Sequence, residues 1–528
     1  MNTRPERLIR IPAAPLLGLA FALAAAAAPP RAAATHQLTV LHTNDLHGHL
    51  EPWTGWEGGM RGQSRGGMAR LAARIDEARA AAGHGAVLLL DAGDTIGDTM
   101  LAARTEGRAV IEAMNRMGYD AMAVGNHEPD FGEAALRERM SQARFPVLAA
   151  NVTRAADGAL LARPYVIREV GGLRVGLLGL AYPSTPLTSA RRNVDGLHFA
   201  AAASTARTFV PRMRQEGAQL VIALTHLGLG ADRQLAREVE GIDVIVGGHS
   251  HNRMADALRV GGTLIVQAGA HGSDLGRLDL TVSGGRITAH RHRLIPVTGD
   301  GASRPVAAAL DVLQGPLRED MAKVVARAAT PIVRAQTLAG QQPGKRDQES
   351  PADSLFADAI RETTGTELAF LPGLGYGVAL QPGPVTTAQL RNLIPHDTAI
   401  WTLRLPGRLV RDALEQSIEN VVTKDATRKV GGMIQVSGLR FAYRPDAPRG
   451  QRVRSVTVAG APLAAGRVYT VAVNGLLAEG GHRYTQFEQG TERREVGEQF
   501  TMVRDWMARR GVVSAPAPGR IARAGERP

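Results

Sequence analysis

From Leu38 to Pro296 the chain repeats one pattern: a short apolar run, a polar cluster, and then often a stretch with apolar residues at helical spacing. The runs are Leu38–Leu41, Val87–Leu90, Ala121–Val124, Val175–Leu180, Leu220–Leu224 and Val244–Val246. Amphipathic stretches Met68–Ala82, Ala134–Ala143 and Ala202–Glu216 lie between them. Short apolar runs bounded by turn residues read as buried strands, and their alternation with helices predicts an α/β domain. Leu264–Val266, Leu278–Val282 and Ile287 onward are expected to add strands that close a sheet.

Beyond this region the pattern changes. Pro305–Ala328 places Val306, Leu310, Leu313, Leu317, Met321 and Val324 at helical spacing, which predicts a connecting helix. The polar stretch 339–353 reads as a loop. A second domain then mixes helices (Ser354–Thr364, Gly407–Asn420) with strands (Ile400–Leu405, Arg452–Val458, Val468–Val473) up to about Ile521. A chain of 528 residues exceeds one compact core, so two domains are the natural expectation. The expected division is 35–300, a connector at 301–329, a smaller α/β domain at 330–521 and a frayed tail at 522–528.

The first residues stand apart. Arg4, Arg7 and Arg10 precede an apolar stretch, Ile11–Ala28, and Ala32-Ala33-Ala34 offers a small-residue cleavage site. That layout predicts a signal peptide over 1–34 and a periplasmic or secreted protein. The alternative, an uncleaved anchor, is disfavoured by Pro12 and Pro15 and by a length barely able to span a bilayer. No later stretch approaches the roughly 20 apolar residues a span requires, so no membrane association is expected after cleavage. The absence of cysteine excludes disulfides and attachment through a lipidated N-terminal cysteine. Of the formal charge of +12, Arg4, Arg7, Arg10 and Arg31 against Glu6 account for +3, leaving +9. The arginines are scattered without a basic run or interleaved aromatics, which speaks against nucleic-acid binding and for attraction of small anions. No obligate protein partner is evident.

The chemistry lies in five polar clusters, each just after an apolar run. They are Asp45-Leu46-His47, Gly93-Asp94, Gly125-Asn126-His127-Glu128, Thr225-His226 and Gly248-His249-Ser250-His251. Open α/β sheets gather ligands at the carboxyl ends of their strands, so five segments converge on one crevice. Oxygen and imidazole donors without thiolate suit Zn²⁺, Mn²⁺ or a similar ion. Each cluster alone is weak; the ordered set is specific. His42 is expected to point elsewhere by strand alternation, His49 is left out with it, and His290 and His292 are expected to be solvated. Trp53 and Trp56, in the glycine-rich loop Glu51–Gly67, either line the substrate entrance or pack within the loop.

This ordered set resembles the calcineurin-like metallophosphoesterases. The phrases His42–His49 (H-T-N-D-L-H-G-H) and Gly125–Gly132 (G-N-H-E-P-D-F-G) are similar to those of the bacterial 5′-nucleotidase family. The resemblance implies a four-layer β-sandwich with flanking helices, followed by the smaller α/β substrate-binding domain. It implies two divalent ions, one on Asp45, His47, Asp94 and His251, the other on Asp94, Asn126, His226 and His249, with Asp94 bridging. It implies phosphoester hydrolysis by metal-activated hydroxide, with His127 facing the phosphate and Asp130 orienting its ring. Pro129 stands where the family has an aromatic residue, but the His127-to-Asp130 spacing is kept.

The second domain departs from that family, whose members use an N-x-G-G-I-R-like loop, two stacking rings and a ribose-binding aspartate. Here the segments read Leu371–Gly377 (L-P-G-L-G-Y-G), Ile394–Thr398 (I-P-H-D-T) and Leu476–His482 (L-L-A-E-G-G-H). His396 and Leu476 occupy the ring positions, and His482 stands at the aspartate. Tyr376 is a candidate replacement surface and Arg346 a candidate phosphate contact. A nucleotide or related small phosphate ester is the leading substrate, with weak selection among bases. The alternatives are hydrolysis resembling that of the dimanganese thiosulfohydrolase of the same superfamily, and a binding protein without catalysis.

Overall fold

The computed structural model describes residues 1–2, 34–54, 62–83, 86–334, 347–374, 379–396, 398–425 and 428–525. The apolar runs become two six-stranded sheets. One has the order Arg286–Pro296, Asp274–Ser283, Thr35–Thr43, Ala86–Asp91, Ala121–Ala123 and Val147–Leu148. The other has the order Leu258–Val260, Thr263–Val266, Val244–Gly247, Leu220–Thr225, Leu173–Leu180 and Tyr165–Val170. The central strands are parallel: Leu38 lies beside Ala86, and Ile222 lies between Leu177 and Val244.

The sheets face each other. Leu38, Val40, Leu88 and Leu90 of the first join Leu177, Ile222, Leu224 and Val246 of the second in one buried cluster. Alternate residues turn outward onto helices. Leu41 and Leu89 meet Met68–Ala82, Arg108–Met117 and Arg304–Gln314. Val221, Ala223 and Ile245 meet Ala202–Gln215 and Leu229–Glu238. Strands covered on both faces read as unbroken apolar runs rather than as alternating ones. The result is a helix–sheet–sheet–helix stack of four layers, as expected.

The second half is built on a five-stranded sheet in the order Gly432–Ser437, Leu368–Gly373, Val468–Asn474, Ala399–Pro406 and Thr491–Glu498. Helix Gly407–Val422 and the strands around Leu439–Tyr443 cover one face. Helices Pro351–Thr364 and Gln499–Arg510 cover the other. Both halves lie within one compact unit, Thr35–Pro528.

Two expectations are corrected. The helix read over Pro305–Ala328 ends early: Arg304–Gln314 is helical, Gly315–Leu317 tightens into a 3₁₀ turn, Arg318–Ala322 adds one turn, and Val324–Ala328 is a strand. Pro316 lacks the N–H that continues a helix, and Ala326 and Ala328 are buried on alternate positions. That strand pairs with Gly383–Thr386 and Val512–Val513, contacts that helical spacing could not reveal. His292 is not solvated. It is buried with His42, their Nε2 atoms 3.1 Å apart and their rings stacked. Gly276 makes this possible, because a Cβ there would sit 2.1 Å from the His42 ring. His290 remains exposed.

Candidate active site

Each polar cluster follows a strand of the two parallel cores, so all five reach the same end of the sandwich. The turns there are sharp. Asp45, His47, Asp94, His249 and His251 all have positive φ, between 47° and 71°. Non-glycine residues hold that conformation at a cost of about 1–3 kcal/mol each, and they do so where the surroundings over-determine them. The supports are visible. Asp45 N–H donates to Gly93 O at 2.9 Å and His47 N–H to Asp94 O at 2.9 Å. His249 N–H donates to the Asp45 carboxylate at 3.0 Å, and His127 N–H donates to Asp94 Oδ1 at 2.8 Å.

The donor atoms gather in overlapping groups. Asp45, His47 and His251 each bring one ligand atom within 4.8 Å of the others, as do Asp94, His226 and His249. Asp94 also groups with His47 and His127. His226 Nδ1 donates to Ala92 O at 2.8 Å, which leaves Nε2 facing Asp94 Oδ2 at 2.8 Å. His47 Nδ1 lies 2.6 Å from Asp98 Oδ2, which leaves Nε2 facing His251 Nε2 at 3.2 Å. Asn126 is buried, and its Oδ1 has no hydrogen-bond partner among the described residues. An unpaired amide oxygen and two buried imidazole nitrogens in contact are costly arrangements for protein alone. A divalent cation bound by oxygen and imidazole nitrogen resolves both, so the donor set suits such an ion.

Electrostatics agree. Burial alone raises the Asp45 carboxyl, but His251 and His226 hold it down at about 2. Burial likewise raises Asp94, yet His226 and His127 bring it well below the carboxylate range. Burial lowers His226, and Asp94 and Asp45 push it up to about 10. The neighbouring imidazoles thus favour the charged form of both carboxylates.

His127 belongs to a second arrangement. Its Nδ1 is 2.7 Å from Asp130 Oδ2. Burial lowers its pKa, but Asp130 and Asp94 prevail and raise it well above the ordinary value.

Three supporting residues escaped the sequence reading. Asp98 orients His47, as a carboxylate behind a metal-binding imidazole does. Glu128 is buried, and its carboxylate accepts N–H groups from Asp94 at 3.0 Å, Thr95 at 2.7 Å and Gly125 at 2.5 Å. One side chain thus ties together the two turns that carry Asp94 and Asn126. Tyr182 stacks on His249, with ring centroids 4.1 Å apart, and donates its hydroxyl hydrogen to Lys429 O at 3.1 Å. Glu128 lay inside the G-N-H-E segment already singled out, and Asp98 stands four residues beyond the G-D pair; Tyr182 carried no local signal.

A cavity of about 420 Å³ opens over these groups and is shared by both halves of the chain. His396, Leu476 and His482 line it. The His396 ring lies parallel to that of His127, with centroids 5.1 Å apart. His482 is buried with φ of +50° and packs where Gly431 has no Cβ. Trp401 and Arg391 also line the cavity, and neither was anticipated. Arg391 is buried with its guanidinium over the Phe500 ring. Trp53 does not line this cavity. It packs on His49 and His271, donates Nε1–H to His271 O at 2.9 Å, and borders a separate cavity beside Arg318 and Met321. Trp56, Arg346 and Tyr376 lie outside the described residues.

Comparison with known proteins follows the same division. Residues 38–253 match the calcineurin-like phosphoesterase family, and residues 324–489 match the 5′-nucleotidase C-terminal domain. The chain is 27% identical over 511 residues to the trifunctional nucleotide phosphoesterase protein YfkN of Bacillus subtilis. That match takes in 87% of this chain and 33% of that protein, so the chain spans about a third of its length. Among solved structures, a 5′-nucleotidase precursor from Thermus thermophilus is 31% identical with a TM-score of 0.84, covering 93% of this chain and 100% of that one. The sulfate thiohydrolase SoxB of Thermus thermophilus is 27% identical with a TM-score of 0.82, covering 95% and 98%.

Proposed function

The chain belongs to the 5′-nucleotidase family of metal-dependent phosphoric ester hydrolases, and we propose that it is a dinuclear enzyme releasing phosphate from 5′-nucleotides or related small esters. The observation that carries this reading is the pair of donor groups, Asp45–His47–His251 and Asp94–His226–His249, with Asp94 reaching toward both. Asp45, His47, Asp94 and His251 would hold one divalent ion; Asp94, Asn126, His226 and His249 would hold the other. Zinc and manganese both suit these donors. Two such ions, when bound, supply the Lewis acidity that lowers the pKa of water and offsets the charge of a phosphoryl group.

The protein's own part is positioning and proton handling. Asp98 and the Ala92 carbonyl fix the tautomers of His47 and His226, so that Nε2 of each faces the carboxylates. With Nδ1 paired to Asp130, His127 is the imidazole assigned to the ester. A protonated ring there stabilises charge on the transferring group and gives its proton to the departing oxygen.

The second half supplies less for a base than its relatives' pattern would. Leucine gives no extended flat face at position 476, and the His396 ring is engaged with His127. Trp401 is the indole in the wall, partly covered by Arg493 at 5.5 Å. Each lost stacking ring is worth roughly 1–3 kcal/mol. We expect turnover of AMP with weak discrimination among bases, and measurable turnover of an aryl phosphate. Comparison of kcat/KM for AMP, UMP and an aryl phosphate is the test. An exclusive preference for one base would show that other residues rebuild the pocket.

A second reading is favoured by the likeness to the sulfate thiohydrolase. Sulfate release from a thiosulfonate, without phosphate release from any ester, would select it. We further propose export, with the mature chain beginning near Thr35. N-terminal sequencing that finds residues 1–34 retained in a cytoplasmic fraction would exclude it.

A further inference from the structure

We propose that Asp98, His127, Asp130 and His396 form a third divalent-cation site, which spans the two halves of the chain and whose filling stops turnover. The inhibitory part rests on the role given above to His127; the binding part does not.

The four residues each bring one ligand atom within 4.8 Å of the others. His127 Nδ1 is 2.7 Å from Asp130 Oδ2, and His396 Nδ1 is 3.4 Å from the same oxygen and 3.9 Å from Asp98 Oδ1. Ligand atoms bound tetrahedrally at zinc distances lie about 3.3 Å from one another, so these separations bracket what an ion needs. Small side-chain shifts complete the shell.

Asp98 points to a ligand independently. It is 4% exposed, and while Oδ2 is engaged by His47, Oδ1 has no hydrogen-bond partner among the described residues. A buried carboxylate oxygen left unpaired is costly, and a cation beside His396 removes that cost. Two carboxylates balance one dication, which binds by displacing the proton between His127 and Asp130, and four donors without thiolate suit Zn²⁺. None of the four belongs to the seven residues assigned to the catalytic pair. Three come from the first half of the chain. His396 comes from the second, in the loop that follows helix Thr387–Arg391. A cation there takes up the nitrogen through which Asp130 orients His127 and fastens the two halves together across the mouth of the cavity.

The test uses the full chain and zinc alone. Bound zinc is measured by equilibrium dialysis and elemental analysis over rising free zinc, and AMP hydrolysis is followed in parallel, each protein normalised to its own maximum. We expect three ions per wild-type chain, with activity falling as the third binds. His396→Ala and His396→Gln should both lose the third ion and shift the inhibition midpoint upward by at least about tenfold, whatever their maximal rates. His396→Asp, which restores a donor, should recover part of the third-ion binding. Saturation of the wild type at two ions, or a third ion and an inhibition midpoint unchanged in both variants, overturns the proposal. Asp94→Asn separates it from the dinuclear reading. That substitution should strip the first two ions and leave the third, and retention of all three would fault the catalytic assignment instead.

Discussion

Glu128→Gln changes one atom and tests whether the two metal-bearing turns are held by a single carboxylate. Oε2 accepts N–H groups from Asp94 and Gly125, and Oε1 accepts one from Thr95. Glutamine has one acceptor oxygen. Placed at the Oε2 position, it keeps two bonds as weaker neutral ones and sets an NH₂ group against the Thr95 N–H. Bonds to charged acceptors are worth about 1.5–3 kcal/mol and neutral ones about 0.5–1.5. One lost bond and two weakened ones therefore cost about 4 kcal/mol. Some of that is recovered, because burial and then Asp94 raise the Glu128 pKa, so ionising it is itself unfavourable. A net loss of about 2–3 kcal/mol is expected. Loosened turns and one fewer negative charge should also weaken metal binding by about 10–100-fold. Thermal unfolding of the chelated protein reads the first effect, and the metal concentration giving half-maximal activity reads the second. Glu128→Ala should show both more strongly. A variant with unchanged melting and an unchanged metal midpoint refutes the clamp. Lost kcat at saturating metal, with unchanged metal affinity, would place Glu128 in the chemistry.

His127→Ala should keep both catalytic ions by elemental analysis while kcat falls about 10²–10⁴-fold; loss of metal together with activity would move His127 among the ligands. Asp98→Ala removes the 2.6 Å contact that orients His47, so the metal midpoint should rise about 10–100-fold, and an unchanged midpoint would deny Asp98 that role. Asp232→Asn probes pH. Burial raises this carboxyl from 3.8 to about 7 against the hydrogen bond from Thr225 Oγ at 2.6 Å. The folded state thus holds a proton that the unfolded state has released, and the wild type loses stability as pH rises from about 4, levelling off above about 7. The asparagine variant's advantage should therefore grow with pH by about 1.4 kcal/mol per unit in that window and then stay constant. A stability difference independent of pH would contradict the raised pKa.

The parallel strands and the residues that follow them were legible because both are local. A strand buried on two faces must be apolar throughout, and the turn after it must carry the polar groups, so Leu220–Leu224 followed by Thr225-His226 announces both at once. The His127–Asp130 pair, three residues apart, came from the family resemblance, and the structure sets the two side chains 2.7 Å apart. The errors and omissions lie where distant segments decide. Val324–Ala328 fits helical spacing taken alone and becomes a strand only because Gly383–Thr386 and Val512–Val513 offer it hydrogen bonds. His292 reads as a surface residue until Gly276 leaves room for His42 to stack on it. Asp98 is four residues from Asp94, yet its use depends on His47, which another strand delivers. His396 meets Asp98, His127 and Asp130 only because the second half folds back over the first. Hydrophobic period and turn chemistry act over a few residues and are written in order along the chain. Long-range pairing, and the packing of one half on the other, depend on which surfaces meet, and only the folded structure decides that.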